Sequence, residues 1–347
     1  MKKYTNEMKR CIKLAKIAMG HTSPNPMVGC LVINEKGKLL ATGYHKVCGE
    51  NHAERDALLK IDNAQNCTLI VNLEPCSHQG KTPPCTDIII EKGIKRVVYG
   101  MQDPNPLVAG KGLEKLKQAG IEVIGPVMEK ECKKLNEIFY KNQTEKKAFV
   151  VIKTATTTDG KIATYTGDSK WITSAQARER TKTLRRRYDA ILTSASTVIA
   201  DNPNMEHKKK IILDRELKTD LNSNIYKQGN IYIFHDENIK PKNHKKNITY
   251  IPTPVKKNKL DIEFVLNKIF ELGVMSIFVE AGGKLNGSIL PYADKIYQFV
   301  APKILGDNSA KSCFDGAKIK NIADCTKFKL EDISIYKPDI LLTYSKA

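Results

Sequence analysis

Apolar residues in the first twenty positions recur at helical spacing with lysines between them, which predicts an amphipathic helix near 3–20. An unbroken apolar run at Val28–Ile33 then predicts a strand, and a helix opens near His52. A strand at Thr68–Leu73, a helix over Thr86–Lys92, a strand at Arg96–Tyr99, a helix near Gly112–Ala119 and a strand at Glu122–Ile124 follow. Such alternation predicts an α/β layer with a mostly parallel sheet. The stretch from Lys141 to Lys147 is polar, has no periodic pattern and precedes a fresh strand at Phe149–Lys153. The domain boundary is placed there, giving domains at 1–145 and 148–347.

In the second half the alternation restarts. Strands are predicted at 149–154, Asp189–Thr193, Ile211–Asp214 and Ile231–His235, with a helix from Ser174 to Arg187. A helix near 261–272, a strand at Ser276–Glu280, a glycine turn and a strand at 295–304 come next. Two apolar strands near 327–345 close the pattern and predict a late antiparallel edge. Residues 205–260 are dense in Lys and Asn and carry Pro241, Pro252 and Pro254, so they read as loops around short strands and not as a third domain. No internal repeat is present.

The 347 residues suffice for two domains, and 41% hydrophobic with 27% charged residues is a globular balance. No apolar run approaches the ~18 residues of a membrane span. Lys13 and Lys16 interrupt the first helix, so it is not a secretory signal, and a cytoplasmic protein is expected. Nine cysteines in such a chain point to reduced thiols, and seven lie between Cys11 and Cys132, which assigns any metal site to the first half. The formal net charge of +19 is carried by both halves. It favours an anionic partner without choosing among nucleic acid, nucleotide and phosphorylated metabolite.

The most informative residues are His52-Ala53-Glu54 and the segment Glu74-Pro-Cys-Ser-His-Gln-Gly-Lys-Thr-Pro-Pro-Cys85. His52, Cys76 and Cys85 supply three ligands, the number that leaves the fourth tetrahedral position of Zn²⁺ open for water and hence for catalysis. Residues i and i+2 share no face inside a helix, so His52 and Glu54 converge only at a helix N-terminus. Cys76 and Cys85 are also expected at helix starts, where the backbone dipole favours thiolate. Glu54, not a ligand, is the proton carrier, and the arrangement is that of zinc deaminases acting on a heterocyclic amidine carbon. A closed structural site would need a fourth protein ligand, for which Cys48, Cys67 or His78 is available.

These residues resemble the bifunctional riboflavin-biosynthesis family that joins a diaminohydroxyphosphoribosylaminopyrimidine deaminase to a 5-amino-6-(5-phosphoribosylamino)uracil reductase. The nine-residue step from Cys76 to Cys85 is that family's own variant. PNPMVGC (24–30), GYH (43–45), HAERDAL (52–58) and MQDPNPLVAGKG (101–112) carry the likeness through the first half. KTATTTDGKIA (153–163), DSKWITS (168–174), DAILTSASTVIADNP (189–203), VEAGGKLNG (279–287) and APKILG (301–306) carry it through the second.

The resemblance implies a cytidine-deaminase-like N-terminal domain with Zn²⁺ and a dihydrofolate-reductase-like C-terminal domain with NADPH. The substrate is then a small phosphoribosyl pyrimidine, first deaminated and then reduced at its ribosyl group to the ribityl product. Deaminase substrate contacts map to Asn25, His45, His78, Lys81 and Asn105. Reductase substrate contacts map to Lys153, Ser169, Arg185, Met205, Lys208 and Glu280. NADPH contacts map to Ala155, Trp171, Thr197, Asp201 and Arg215, and to Gly282, Gly283, Lys284, Leu285, Asn286, Gly287 and Ser288. A homo-oligomer formed through the reductase domain is expected, with no nucleic-acid or membrane partner.

On the residues alone, the 280–287 glycine turn follows a strand and opens a helix, a place where backbone N–H groups approach a pyrophosphate. A full G-x-G-x-x-G is absent, which disfavours a Rossmann domain. Arg215, just past a strand, suits the 2′-phosphate of NADPH, with Lys218 or Ser196 as alternatives. After Asp201-Asn-Pro203 the chain departs from the family, since Asn204-Met-Glu-His-Lys-Lys-Lys210 stands where an arginine normally helps hold the substrate phosphate. Lys208 is nearest that place, with Lys209 and Lys210 beside it. The rival reading is a tRNA adenosine deaminase with an RNA-binding C-terminal half. Its short cysteine spacing and aromatic stacking strand are both missing here.

Overall fold

Helix α1 (Thr5–Ala15) turns Met8, Cys11, Ile12 and Ala15 inward and its lysines outward. It packs on β1 (Gly29–Ile33), every residue of which is buried. A tight turn, in which Asn34 Oδ1 accepts from the N–H of Lys36 and of Lys38, returns the chain as β2 (Leu39–Tyr44). There follow α2 (Ala53–Leu58), β3 (Thr68–Val71), α3 (Cys85–Glu91), β4 (Arg96–Tyr99), α4 (Lys111–Gln118), β5 (Glu122–Ile124), α5 (Glu129–Leu135) and α6 (Glu137–Glu145). The computed structural model describes residues 3–80, 82–106 and 108–347. The chain divides into two compact units, one running through Lys146 and the other from Lys147 to Ala347.

The sheet of the first unit has the order β2-β1-β3-β4-β5. β1 is antiparallel to both of its neighbours, so β2, β3, β4 and β5 point one way and β1 alone is reversed. The sheet is therefore mixed where a mostly parallel one is predicted. The difference lies in β2, whose Thr42 and Gly43 interrupt the apolar run that would announce a strand. The polar stretch from Lys141 also differs from its prediction. α6 continues through it to Glu145, with Asn142 buried and Thr144 Oγ1 donating to the Tyr140 carbonyl at 2.9 Å, so the polar residues belong to a helix.

The second unit comprises β6 (Phe149–Thr157), β7 (Lys161–Ala163), α7 (Ala175–Arg185), β8 (Ala190–Ser194), α8 (Ala195–Asp201), β9 (Lys209–Leu213), β10 (Asn230–Asp236), β11 (Ile248–Thr253), β12 (Val255–Lys256) and β13 (Lys259–Leu260). It continues with α9 (Ile262–Glu271), β14 (Ser276–Val279), α10 (Gly283–Ile289), β15 (Lys295–Ala301), β16 (Lys311–Ser312), β17 (Phe328–Tyr336) and β18 (Asp339–Lys346). Nine strands form one sheet in the order β11-β10-β9-β8-β14-β6-β15-β18-β17. The strands from β11 to β15 are parallel, and β18 and β17 add the antiparallel edge that the sequence predicts. Pro252 is tolerated because β11 is an edge strand. Val150, Ile152, Leu192, Ile277 and Val279 fill the core on one face, while Ile191, Ile212, Tyr226 and Ile233 fill it on the other.

Parallel strands deliver their carboxyl ends to one side, where open α/β sheets bind ligands. Here that side receives Ser194, Asp214 and Glu280 from the ends of β8, β9 and β14. Among the described residues no helix is long and apolar enough to cross a membrane.

Candidate active sites

His52 is the residue before α2, with φ −66° and ψ 162°, so its extended backbone turns the ring away from the helix while Glu54 already lies in the first turn. The i, i+2 pair converges for the reason the sequence gives. His52 Nδ1 stands 3.4 Å from Cys76 Sγ and 3.4 Å from Cys85 Sγ. A tetrahedral zinc with its usual bond lengths separates N and S ligands by about 3.5 Å. The three donor atoms therefore fit that ion. They form the one metal-capable cluster among the described residues, and Cys48, Cys67 and His78 lie outside it.

Cys85 is the first residue of α3, as predicted, whereas Cys76 precedes the helix and lies in no helix itself. Its sulfur nevertheless gains the helix terminus in space, because the Cys85 N–H donates to Cys76 Sγ at 3.4 Å. The Cys85 thiol and the His52 ring also donate to that sulfur, and together they hold the Cys76 thiol well below the ordinary thiol range against the opposing effect of burial. Cys85, hydrogen-bonded to the Cys76 thiolate and buried, is pushed up. The Glu54 carboxyl is buried and raised to about 7, by desolvation first and by the neighbouring Cys76 charge second.

Around this centre the structure gathers some of the predicted contacts. Asn25 Nδ2 donates to His45 Nε2 at 3.1 Å, and His45 Nδ1 donates to the Asn51 carbonyl at 3.1 Å. That fixes a neutral tautomer, which burial also favours. The His45 ring lies edge-on to His52 at 5.4 Å. The Asn105 N–H donates to Asp103 Oδ1 at 2.8 Å, His78 is exposed, and Lys81 lies outside the described residues. A cavity of about 290 Å³ opens beside Asn51 between Tyr44, Lys46, Glu50, Asp56 and Thr82. Lys46 and Asn51 are absent from the sequence-based site, and their only signal is adjacency to GYH and HAE.

In the second unit, Arg185 ends α7 and grips Glu280 with both Nε and Nη2, the latter at 2.9 Å. Lys153 Nζ lies 3.9 Å from Glu280 Oε2 and 5.8 Å from the Phe299 ring centre. Burial pushes the Lys153 ammonium down, partly offset by Glu280. Burial also pushes Glu280 up, but the Arg185 charge and hydrogen bonds, with Lys153, bring it below the usual carboxylate value. Arg185 is thus the partner of Glu280 and not a free cation. Ala155 is on the same face of β6 as Lys153.

Trp171, 62% exposed, is not core. Its ring stacks under the Arg178 guanidinium at 4.3 Å, and its carbonyl accepts from Lys303 Nζ at 2.6 Å. Ser169 and Asp201 are half-buried, and Thr197 takes its N–H to Ser194 Oγ at 3.3 Å at the start of α8. Arg215 is engaged by the Glu216 carboxylate and Asn258.

Several of the predicted contacts have other partners in the structure. The Met205 side chain packs in the core with Val198, Ile212 and Tyr226, leaving only its backbone to a ligand. Lys210 points inward, its ammonium donating to the carbonyls of Asn204 at 3.2 Å and Ile225 at 2.8 Å, so it is no reserve for the exposed Lys208. Gly283 and Gly287 lack side chains because a Cβ would meet the carbonyls of Ser312 at 2.2 Å and Asp315 at 2.0 Å. Asn286 joins them by donating to the Ala281 and Cys313 carbonyls, both at 3.0 Å. That part of the turn packs the 312–315 segment. Gly282 and exposed Lys284 remain open at the start of α10, while Leu285 packs against the core and Ser288 Oγ donates to the Lys284 carbonyl.

Comparison with known proteins agrees across both units. Residues 1–101 match the cytidine and deoxycytidylate deaminase zinc-binding region, and residues 148–342 match the RibD C-terminal domain. The riboflavin biosynthesis protein RibD of Actinobacillus pleuropneumoniae is 38% identical over 97% of this chain and 94% of its own. That of Escherichia coli is 35% identical over 96% and 97%. A solved Thermotoga maritima diaminohydroxyphosphoribosylaminopyrimidine deaminase/5-amino-6-(5-phosphoribosylamino)uracil reductase superposes with a TM-score of 0.89 at 36% identity, covering 99% of both chains. The tRNA-deaminase reading is not favoured. With a zinc-fitting donor set in one unit and a parallel reductase sheet in the other, the chain belongs to the RibD family, the bifunctional deaminase/reductases of riboflavin biosynthesis that use Zn²⁺ and NADPH.

Proposed function

We propose that the first unit deaminates the diaminohydroxyphosphoribosylaminopyrimidine and the second reduces the resulting 5-amino-6-(5-phosphoribosylamino)uracil at its ribosyl group. The observation that supports this most directly is His52 Nδ1 at 3.4 Å from both cysteine sulfurs, with buried Glu54 in the next turn. His52, Cys76 and Cys85 would hold zinc, which when bound acidifies water for attack at neutral pH. Glu54 would take one proton from the attacking water and pass it to the ring nitrogen, then take the second proton from the hydroxyl so formed and pass it to the amino group, which leaves as ammonia. Asn25 and His45, locked together, present fixed polar groups to the pyrimidine, and Asn105 and His78 are further contacts to it.

In the second unit NADPH would supply the hydride, held by Gly282, Lys284, Thr197, Asp201, Trp171 and Arg215. Lys153 is the group positioned to hold a proton at the ribosyl oxygen, because Glu280 keeps its ammonium in place and Arg185 keeps Glu280 ionised. Lys208 supplies a cation for the 5′-phosphate. The second unit also carries the homo-oligomer contact: Ile333, Ile335 and Ile340, 57%, 70% and 36% exposed, share one face of the β17–β18 pair. The cytoplasm is the compartment that suits free thiols and both cofactors.

The test is incubation of the purified chain with the diaminopyrimidine ribotide, Zn²⁺ and NADPH. Ammonia release followed by loss of NADPH absorbance is the expected result. Ammonia without NADPH consumption would reject the second assignment, and neither signal would reject both.

A further inference from the structure

Glu74 lies three residues beyond the end of β3, two residues before Cys76, and is 5% exposed. Its main chain is fixed by donation to the Met101 carbonyl at 2.9 Å. Its carboxylate reaches across to the segment from Asp103 to Gly112, of which Leu107 is outside the described residues. Oε2 accepts from the N–H of Asp103 at 3.1 Å and of Gly110 at 3.0 Å, and Oε1 accepts from the N–H of Gly112 at 3.0 Å. One buried carboxylate thus receives donors from the start of the loop at Asp103 and from its junction with α4 at Gly110 and Gly112.

The loop is built to meet it. Gly110 has φ +80°, a conformation disfavoured for other residues, and a Cβ on Gly112 would lie 2.0 Å from the Pro75 carbonyl. Within the loop, Asp103 Oδ1 accepts the Asn105 N–H, and the Asn105 carbonyl accepts from Val108 and Ala109 at 3.0 and 2.9 Å. A carboxylate offers acceptor sites to all three N–H groups and presents no donor of its own. A glutamine would turn an NH₂ toward at least one of them.

We propose that Glu74 is a positioning residue of the deaminase, holding the Asp103–Gly112 segment against the Glu74-Pro75-Cys76 turn and thereby setting where Asn105 meets the substrate. It acts through the loop and contacts neither zinc nor pyrimidine. The inference rests on the reading that Asn105 is a substrate contact, so the experiment separates the two.

The full-length, zinc-loaded enzyme is compared with its Glu74→Gln, Gly112→Ala and Asn105→Ala variants. Measured for each are deaminase KM and kcat, zinc content, reductase rate on the deaminated substrate, and hydrogen exchange at the amides of Asp103, Gly110 and Gly112. For Glu74→Gln we expect faster exchange at those amides and a KM raised about tenfold or more, with kcat within about threefold. Zinc content and reductase rate should stay at wild-type values. Gly112→Ala, which leaves the carboxylate intact but pushes the loop away, should give the same KM signature. Faster exchange with an unchanged KM overturns the proposal, as does loss of zinc or a collapse of kcat at unchanged KM. If Asn105→Ala leaves KM unchanged while Glu74→Gln raises it, Glu74 keeps its role and another residue of the loop makes the contact. An elevated KM in Asn105→Ala alone removes Glu74 from it.

Discussion

Arg185 and Glu280, 95 residues apart in the chain, meet in a two-pronged ion pair between the last turn of α7 and the end of β14. The pair is largely buried, and Lys153 adds a second cation to the same carboxylate.

Removing Arg185 leaves Glu280 buried with only the more distant Lys153. Breaking a buried pair by deleting one partner costs about 3–5 kcal/mol. Arg185→Ala should lower the stability of the second unit by that order and reduce reductase activity, while ammonia release persists. Denaturant titration of the variant is the check, and an unchanged midpoint would show that the pair contributes nothing.

The same carboxylate gives the reductase a pH signature. Glu280 titrates below its usual 4.5 in the folded chain because Arg185 and Lys153 outweigh burial. Its stabilising contribution is therefore complete above the unfolded value and is lost as pH falls through the folded one. The acid limb of stability against pH should be shallower in Glu280→Gln than in the wild type. Parallel limbs would place the acid sensitivity in other carboxylates.

Glu54→Gln keeps the size and position of the side chain and removes only its capacity to carry a proton. Ammonia release should fall by about 10²–10⁴-fold, with zinc content and the reductase rate unchanged. A chelator should give the same split in the wild type, abolishing deamination while NADPH is still consumed with deaminated substrate. Chelator-sensitive reduction would mean that the second unit depends on the metal.

Two neighbouring lysines should respond in opposite ways. Lys208→Ala should raise the reductase KM by the equivalent of about 1–2 kcal/mol, one charge-assisted hydrogen bond, and leave the melting temperature alone. Lys210→Ala strands the Asn204 and Ile225 carbonyls in the interior and should cost about 1–3 kcal/mol of stability. A stability loss in Lys208→Ala would contradict this division.

The zinc centre is legible in the sequence because its chemistry is carried by residue type: a histidine, two cysteines and a glutamate admit few other readings, and the helix start at His52 follows from their spacing. The strand–helix order is legible for a similar reason, since each element has its own period. What the chain conceals is contact at long range. Nothing in Glu74, Arg185 or Glu280 announces which distant groups they bind. Three successive lysines at 208–210 look alike until the fold brings the Asn204 and Ile225 carbonyls to the ammonium of one of them. The glycines after Glu280 suggest a phosphate turn, yet two of them serve the approach of the 312–315 backbone, a need that arises only once β16 is in place. β2 escapes notice because it is held by its hairpin partner more than by its own apolar content.

The position of β6 at the heart of the larger sheet also bears on how the chain is made. β6 is the first strand of its unit to leave the ribosome, yet its two neighbours, β14 and β15, are among the last. The first unit contains all of its strands before β6 is synthesised and can fold while translation continues. The Val-, Ile- and Thr-rich β6 must wait, both edges unpaired, until most of the second unit has emerged. During that interval the strand presents two unpaired edges to other chains. Slower elongation would lengthen the exposure, and an unoccupied chaperone pool would shorten its consequences.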